Sequence, residues 1–309
     1  MPDNISQQYA IWWRYRKRLG LSLDMWHDEF GSRIVVSPTI ETPPYWRTSV
    51  PLKQVMFSAF HGNEKTFALY YEKMRKDGHR WIHATPSVIM PFAAYCVEHG
   101  LTFDGQIQYL TTGAENLYDH QRMMLKEAFG IWPRTHYGLT EAVANFSENL
   151  EGIAEVDEDF AAVEFVPEGD FCHIVGTSLI NYSMPLIRYD TSDICFVSGK
   201  IGRYGRVVDR VDGRSGDSIL LPNGTRVGTL SALFSETTHI VEAQIHQLED
   251  YSLLISYVPQ AGNGYLKDLE QVNRLLVERI SNAVPVRFER VDKIPRTRRG
   301  KLRYIVSDL

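Results

Sequence analysis

Five short stretches of this 309-residue chain carry residue types suited to chemistry on a phosphorylated or carboxylated ligand. In KIPRTRRGKLRY, the cations Arg296, Arg298, Arg299 and Lys301 surround Gly300; a compact ammonium on a sharp loop neutralises charge at a phosphoryl centre. A solvated basic face fits the same run. In HYGLTE, which contains Tyr137, Thr140 offers a hydroxyl to a phosphate or carboxylate oxygen and Glu141 offers a hard oxygen to magnesium. Gly138 there permits a tight turn after a strand, and the blander alternative is a strand-to-helix turn capped by Thr140. In LIRYDTSDI, Asp193 has a carboxylate able to accept from both hydroxyls of a ribose, although an Asp-rich turn with surface ion pairs fits equally. TTGAE, with Gly113, Ala114 and Glu115, and GRSGD, where Arg214 stands beside a flexible joint, complete the set.

Such residues need elements to hold them. Asn63 can cap a helix, EKTFALYYEKMRKD, that Gly78 stops; RWIHAT then reads as a strand. SVIMPFAAYCVEH repeats the helix, QIQYLTT the strand, NLYDHQRMMLKEAF the helix and IWPRTHY the strand. Strand and helix alternating with short connections predict an α/β fold with a parallel sheet and right-handed crossovers. Ligands bind at the carboxyl ends of such strands, where TTGAE and YGLTE fall, and the two loops come together if their strands are neighbours. Residues 160–227 predict an antiparallel subdomain from short pieces such as AAVEFV, FCHIVGTSL and GRVVDRV. After DGRSGD the pattern resets to a hairpin around Asn223 and Gly224, two strands, a helix with Leu266, Leu269, Leu276 and Ile280 near one face, and a final strand, VRFERV. The division expected is 1–212 for a large domain and 213–309 for a small α+β one.

Composition narrows the function classes. A hydrophobic content of 44% and a charged content of 23% suit a globular chain with a sizeable core. A net charge of -5 argues against nucleic acid as a partner, since phosphates call for a basic excess. Cys96, Cys172 and Cys195 stand apart without CxxC spacing, which predicts reduced thiols in the cytoplasm and no zinc signature. The opening residues lack the order of a signal peptide and no stretch is long and apolar enough for a membrane span. A helix carrying Trp12, Trp13 and Arg14 to Arg18 suits either a membrane surface or, the favoured reading, a packed amphipathic face.

The order YGxTE, YxTxD, GRxxD and PRTxxGK resembles the adenylate-forming superfamily of acyl-CoA synthetases, peptide-synthetase adenylation domains and luciferases. AIWWRYRKRLGL, TSLINYSMPLIRYDTSDI and the C-terminal stretch are similar to its phenylacetate-CoA ligase branch, CapK-like members included, over nearly the whole chain. The resemblance implies an AMP-forming ligase that uses ATP and magnesium to turn a small carboxylic acid into an acyl-adenylate, then passes the acyl group to a thiol, coenzyme A being the expected acceptor. It implies that Thr140 and Glu141 serve the phosphates and the magnesium, with Tyr137 and Gly138 in the same nucleotide-binding stretch. Gly113, Ala114 and Glu115 would line the adenine site, Asp193 and Arg214 would hold the ribose, and Lys301 would be the catalytic lysine of a mobile C-terminal domain. Ala84, Thr85 and Tyr109 are candidates for the acid pocket.

The sequence also departs from the family pattern. The Ser/Thr/Gly-rich loop that wraps the β- and γ-phosphates is not found, and Met1 falls just after the place it would occupy. The expectation is therefore a truncated large domain: a fragment, a subunit completed by a separate N-terminal polypeptide, or a non-catalytic nucleotide- or acyl-binding remnant. Ser192 stands at the usual glycine of the ribose motif, Gly216 at the usual hinge acid, and GKIGR (199–203) lacks the cysteines with which some relatives hold zinc.

Overall fold

The computed structural model describes residues 2–214, 219–224, 226–227, 230–234, 237–280, 282–297 and 302–309. In chain order its first elements are α1 (Pro2–Arg18), β1 (His27–Phe30), β2 (Trp46–Ser49), β3 (Gln54–Phe57), α2 (Glu64–Asp77), β4 (Trp81–Ala84), α3 (Pro86–Glu98), β5 (Tyr109–Thr112), α4 (Asp119–Phe129) and β6 (Arg134–Gly138). There follow β7 (Asn145–Glu148), β8 (Ala154–Val156), β9 (Ala161–Glu168), β10 (Phe171–Ser178), β11 (Tyr189–Phe196), β12 (Val207–Val208) and β13 (Arg210–Arg214). The last are β14 (Ile219–Leu220), β15 (Arg226–Val227), the 3-10 turn Leu230–Phe234, β16 (Ile240–Gln247), β17 (Leu253–Pro259), α5 (Tyr265–Ile280), β18 (Val286–Arg290) and β19 (Ile305–Ser307).

By packing, the chain forms two units, and the first comprises 1–25, 111–116 and 134–215. Its strands run β12-β8-β7-β6, and Thr111 and Thr112 of β5 pair in parallel with Arg134 and Thr135 of β6. A second, antiparallel sheet runs β13-β11-β10-β9, as the Gly- and Pro-punctuated sequence predicts. The core gathers Phe146, Val156, Phe160, Ile174 and Cys195. Two cations of α1 pair with acids: the Arg14 guanidinium reaches Asp157 at 2.7 Å and Asp159 at 2.5 Å, and Arg18 lies 3.6 Å from Asp157. Gln8, from the same helix, donates to the carbonyl of Leu139 at 2.7 Å, so α1 braces the loop after β6.

The second unit comprises 26–110, 117–133 and 216–309. Here β1 lies between β3 and β4, parallel to both, with β2 antiparallel on the outer edge of β3. The helix start and stop signals act as read: the Asn63 side chain accepts from the Thr66 N–H at 3.2 Å, and Gly78 closes α2 in the left-handed region at φ 67°. Phe30, Phe57, Tyr70, Met74, Ile82, Ile89 and Phe92 form the core between strands and helices. In the C-terminal part, β18-β17-β16-β19 form a mixed sheet against which α5 buries Val272, Leu276 and Ile280. Leu266, expected on that face, is instead exposed, because at about 100° per residue it falls to the side of the stripe of Asp268, Val272, Leu276 and Ile280. The three cysteines are free thiols. Among the described residues no helix is long and apolar enough to cross a membrane.

Candidate functional site

Within the first unit, three of the motif-bearing segments converge. The parallel pairing of Thr111 and Thr112 with β6 sets the start of TTGAE beside His136, so its loop and YGLTE leave the sheet as neighbours. Gly113 is held by contact rather than by backbone freedom: a Cβ there would lie 2.5 Å from Cε1 of His136. Gly138 closes β6 and does not make the tight turn expected of it. Its missing Cβ makes room for Asn145 Oδ1, which would stand 2.7 Å away. No helix follows for Thr140 to cap; residues 140–141 form a turn and the chain returns as β7, antiparallel to β6.

The ribose-type motif joins them through Tyr137, whose hydroxyl donates to Asp193 Oδ2 at 2.6 Å. Asp193 is buried on β11, and its N–H donates to Thr191 Oγ1 at 3.1 Å. Burial and the neighbouring Asp193 charge both push the Tyr137 phenol up, so it stays protonated and serves as a donor. Arg214 lies opposite Asp193 across the β11–β13 ladder, while its side chain lies outside the described residues.

Backbone strain marks the same loops. Ala114 (φ 69°), Ala142 (φ 58°) and Ser192 (φ 61°) adopt the left-handed region without being glycine, each at a cost of about 1 kcal/mol or more. Ser192 thus keeps a glycine-type conformation at the position where its residue type departs from the expected motif. Thr140 is exposed and Glu141 half-buried, and their hydroxyl and carboxylate oxygens are the hard donors that magnesium takes.

Sequence reasoning missed the support behind these loops. His136 is enclosed by Trp12 and Tyr15, ring centroids 5.8 and 5.5 Å away, and burial together with nearby Arg16 lowers its pKa to about 4. Trp12 Nε1 also donates to Asn145 Oδ1 at 3.3 Å. The only local signal was the place of His136 one residue before the motif tyrosine; its ring partners Trp12 and Tyr15 come from more than a hundred residues away.

In the second unit, Arg296 donates to the Ser87 carbonyl at 3.0 Å and pairs with buried Glu242. Lys301, Arg298, Arg299 and Gly300 lie outside the described residues. Among the acid-pocket candidates, Ala84 ends β4, Thr85 precedes α3 and Tyr109 opens β5.

Residues 219–308 match the CapK C-terminal domain. Protein CapK of Staphylococcus aureus is 22% identical over 99% of this chain and 70% of its own length. Phenylacetate-coenzyme A ligase of Pseudomonas putida is 26% identical over 45% of this chain but only 35% of that enzyme. A 2-hydroxyisobutyryl-CoA ligase, solved in the postadenylation state with 2-HIB-AMP, shares the fold at a TM-score of 0.66 and 16% identity, over 94% of this chain and 67% of that one. Over nearly its whole length the chain is similar to CapK, and it shares the fold of an adenylate-forming CoA ligase. The relatives it resembles are CapK and the phenylacetate-CoA ligases, and its residues 219–308 carry the CapK C-terminal domain.

Proposed function

We propose that this chain is an AMP-forming ligase that activates a small carboxylic acid as its acyl-adenylate and transfers the acyl group to a thiol, with coenzyme A as the acceptor. The observation that carries the reading is the 2.6 Å bond from Tyr137 to the buried carboxylate of Asp193, beside the paired ends of β5 and β6. A buried carboxylate with one oxygen fixed by a phenol is preorganised to receive two vicinal hydroxyls. In this reading Asp193 and Arg214 hold the ribose, Gly113, Ala114 and Glu115 flank the adenine, and the Thr140 hydroxyl meets a phosphate oxygen.

Glu141 would hold magnesium, which when bound neutralises phosphate charge. The substrate carboxylate oxygen attacks the α-phosphorus, forming the acyl–phosphate bond as the bond to the β-phosphate oxygen breaks and pyrophosphate leaves. Lys301 offsets the anionic charge that crowds this centre. A thiolate then attacks the acyl carbon, and AMP departs. The free thiols are compatible with a reducing, cytoplasmic setting.

The test is acid-dependent pyrophosphate release across a panel of aryl, aliphatic and amino acids. At least one acid should stimulate release, and Lys301→Ala should lower the rate by 100-fold or more without changing the melting temperature. No stimulation by any acid from the folded chain, with ATP bound, would favour the non-catalytic nucleotide-binding reading.

A further inference from the structure

In the second unit, a cavity of about 370 Å³ is lined by Trp26, Thr48, Val55, Lys73, Asp77 and His79. It lies at the amino ends of β1 and β4, whereas the ligand-binding end of a parallel sheet is the carboxyl end, so it is separate from the motif-bearing loops. Beside it Asp28, on β1, is fully buried and registered opposite Val55 and Ile82, two apolar core residues. One Asp28 oxygen, Oδ1, is 2.8 Å from His79 Nδ1. The other, Oδ2, has no hydrogen-bond partner among the described residues.

A buried carboxylate oxygen without a partner costs about 1–3 kcal/mol or more, which asks what compensates it. Asp77, the last residue of α2, brings a second carboxylate: one ligand atom each from Asp28, Asp77 and His79 lie within 4.8 Å of one another. The ring of His79 is fixed by stacking on Trp26, centroids 5.5 Å apart and planes 14° from parallel. We propose that Asp28, Asp77 and His79 form a binding site for a divalent transition-metal ion, with zinc the preferred occupant.

One imidazole nitrogen and two carboxylate oxygens are a donor set that zinc accepts, and three protein ligands leave a fourth position open toward the cavity. The ion takes the place of the hydrogen bond between Asp28 and His79. Lys73 opposes it: its ammonium stands 2.8 Å from the Asp77 carboxylate and has to swing aside when the metal arrives. Lys73 is partly buried at the cavity wall, and its long side chain makes this displacement local.

The experiment is calorimetric titration of the tag-free full chain with zinc chloride, without nucleotide, so that the outcome is independent of the ligase reading. One ion per chain should bind with micromolar or tighter affinity. Asp77→Asn and His79→Gln should each weaken it at least 10-fold while the metal-free melting temperature stays close to that of wild type. Lys73→Ala should tighten it several-fold, an effect that adventitious zinc at surface histidines would not show. Asp28→Asn serves as a fourth variant where it folds. Absence of saturable zinc binding, or equal affinity in wild type, Asp77→Asn and His79→Gln, overturns the proposal.

Discussion

His136 has its imidazole wedged between α1 and the Gly113 backbone, where burial and Arg16 hold its pKa at about 4. An unfolded histidine titrates near 6.5, so the unfolded chain binds the extra proton first. The stability associated with neutral His136 is fully present above pH 6.5 and is lost as pH falls toward 4. The depression corresponds to about 3 kcal/mol as an upper bound. Denaturant melts of wild type and His136→Gln between pH 7 and 4 should show the wild type losing the larger amount; parallel curves would mean that His136 titrates normally. The same packing explains why this part of the site was illegible in sequence. Tyr137, Gly138 and Asp193 stand in recognisable motifs, but that Gly113 must be glycine because of His136, and Gly138 because of Asn145, depends on contacts that no local pattern announces.

At the scale of elements, legibility follows local physics. The start and end of α2 were readable because an Asn cap and a left-handed Gly satisfy terminal backbone groups by themselves. Replacing Asn63 with alanine removes the acceptor for the Thr66 N–H and should cost about 1 kcal/mol in urea unfolding. An unchanged midpoint would show that the cap contributes nothing. By contrast β1, β2 and β3 were not read. Each has four residues, and HDEF places two polar residues, His27 and Asp28, inside the protein, so alternation fails as a signal. Strand order was also beyond local reading; the pairing of β5 with β6 meets the condition under which the two motif-bearing loops come together.

For the whole molecule, the central claim is that the first unit carries a nucleotide site. Asp193, Tyr137 and the strained loops at Ala114, Ala142 and Ser192 all lie there. Strain of this kind is kept where the surroundings enforce it. The chain spans 70% of CapK and 35% of the phenylacetate-CoA ligase, so which acid is used and how transfer is completed belong to the activity screen. The most direct test is calorimetric titration of the folded chain with ATP and magnesium, comparing wild type with Asp193→Ala and with Thr140→Val, whose altered side chain is exposed. The account predicts saturable binding by the wild type, at least 10-fold weaker in Asp193→Ala and measurably weaker in Thr140→Val. A cooperatively folded wild type that binds no ATP, or binds it as well with Asp193 and Thr140 replaced, would contradict it.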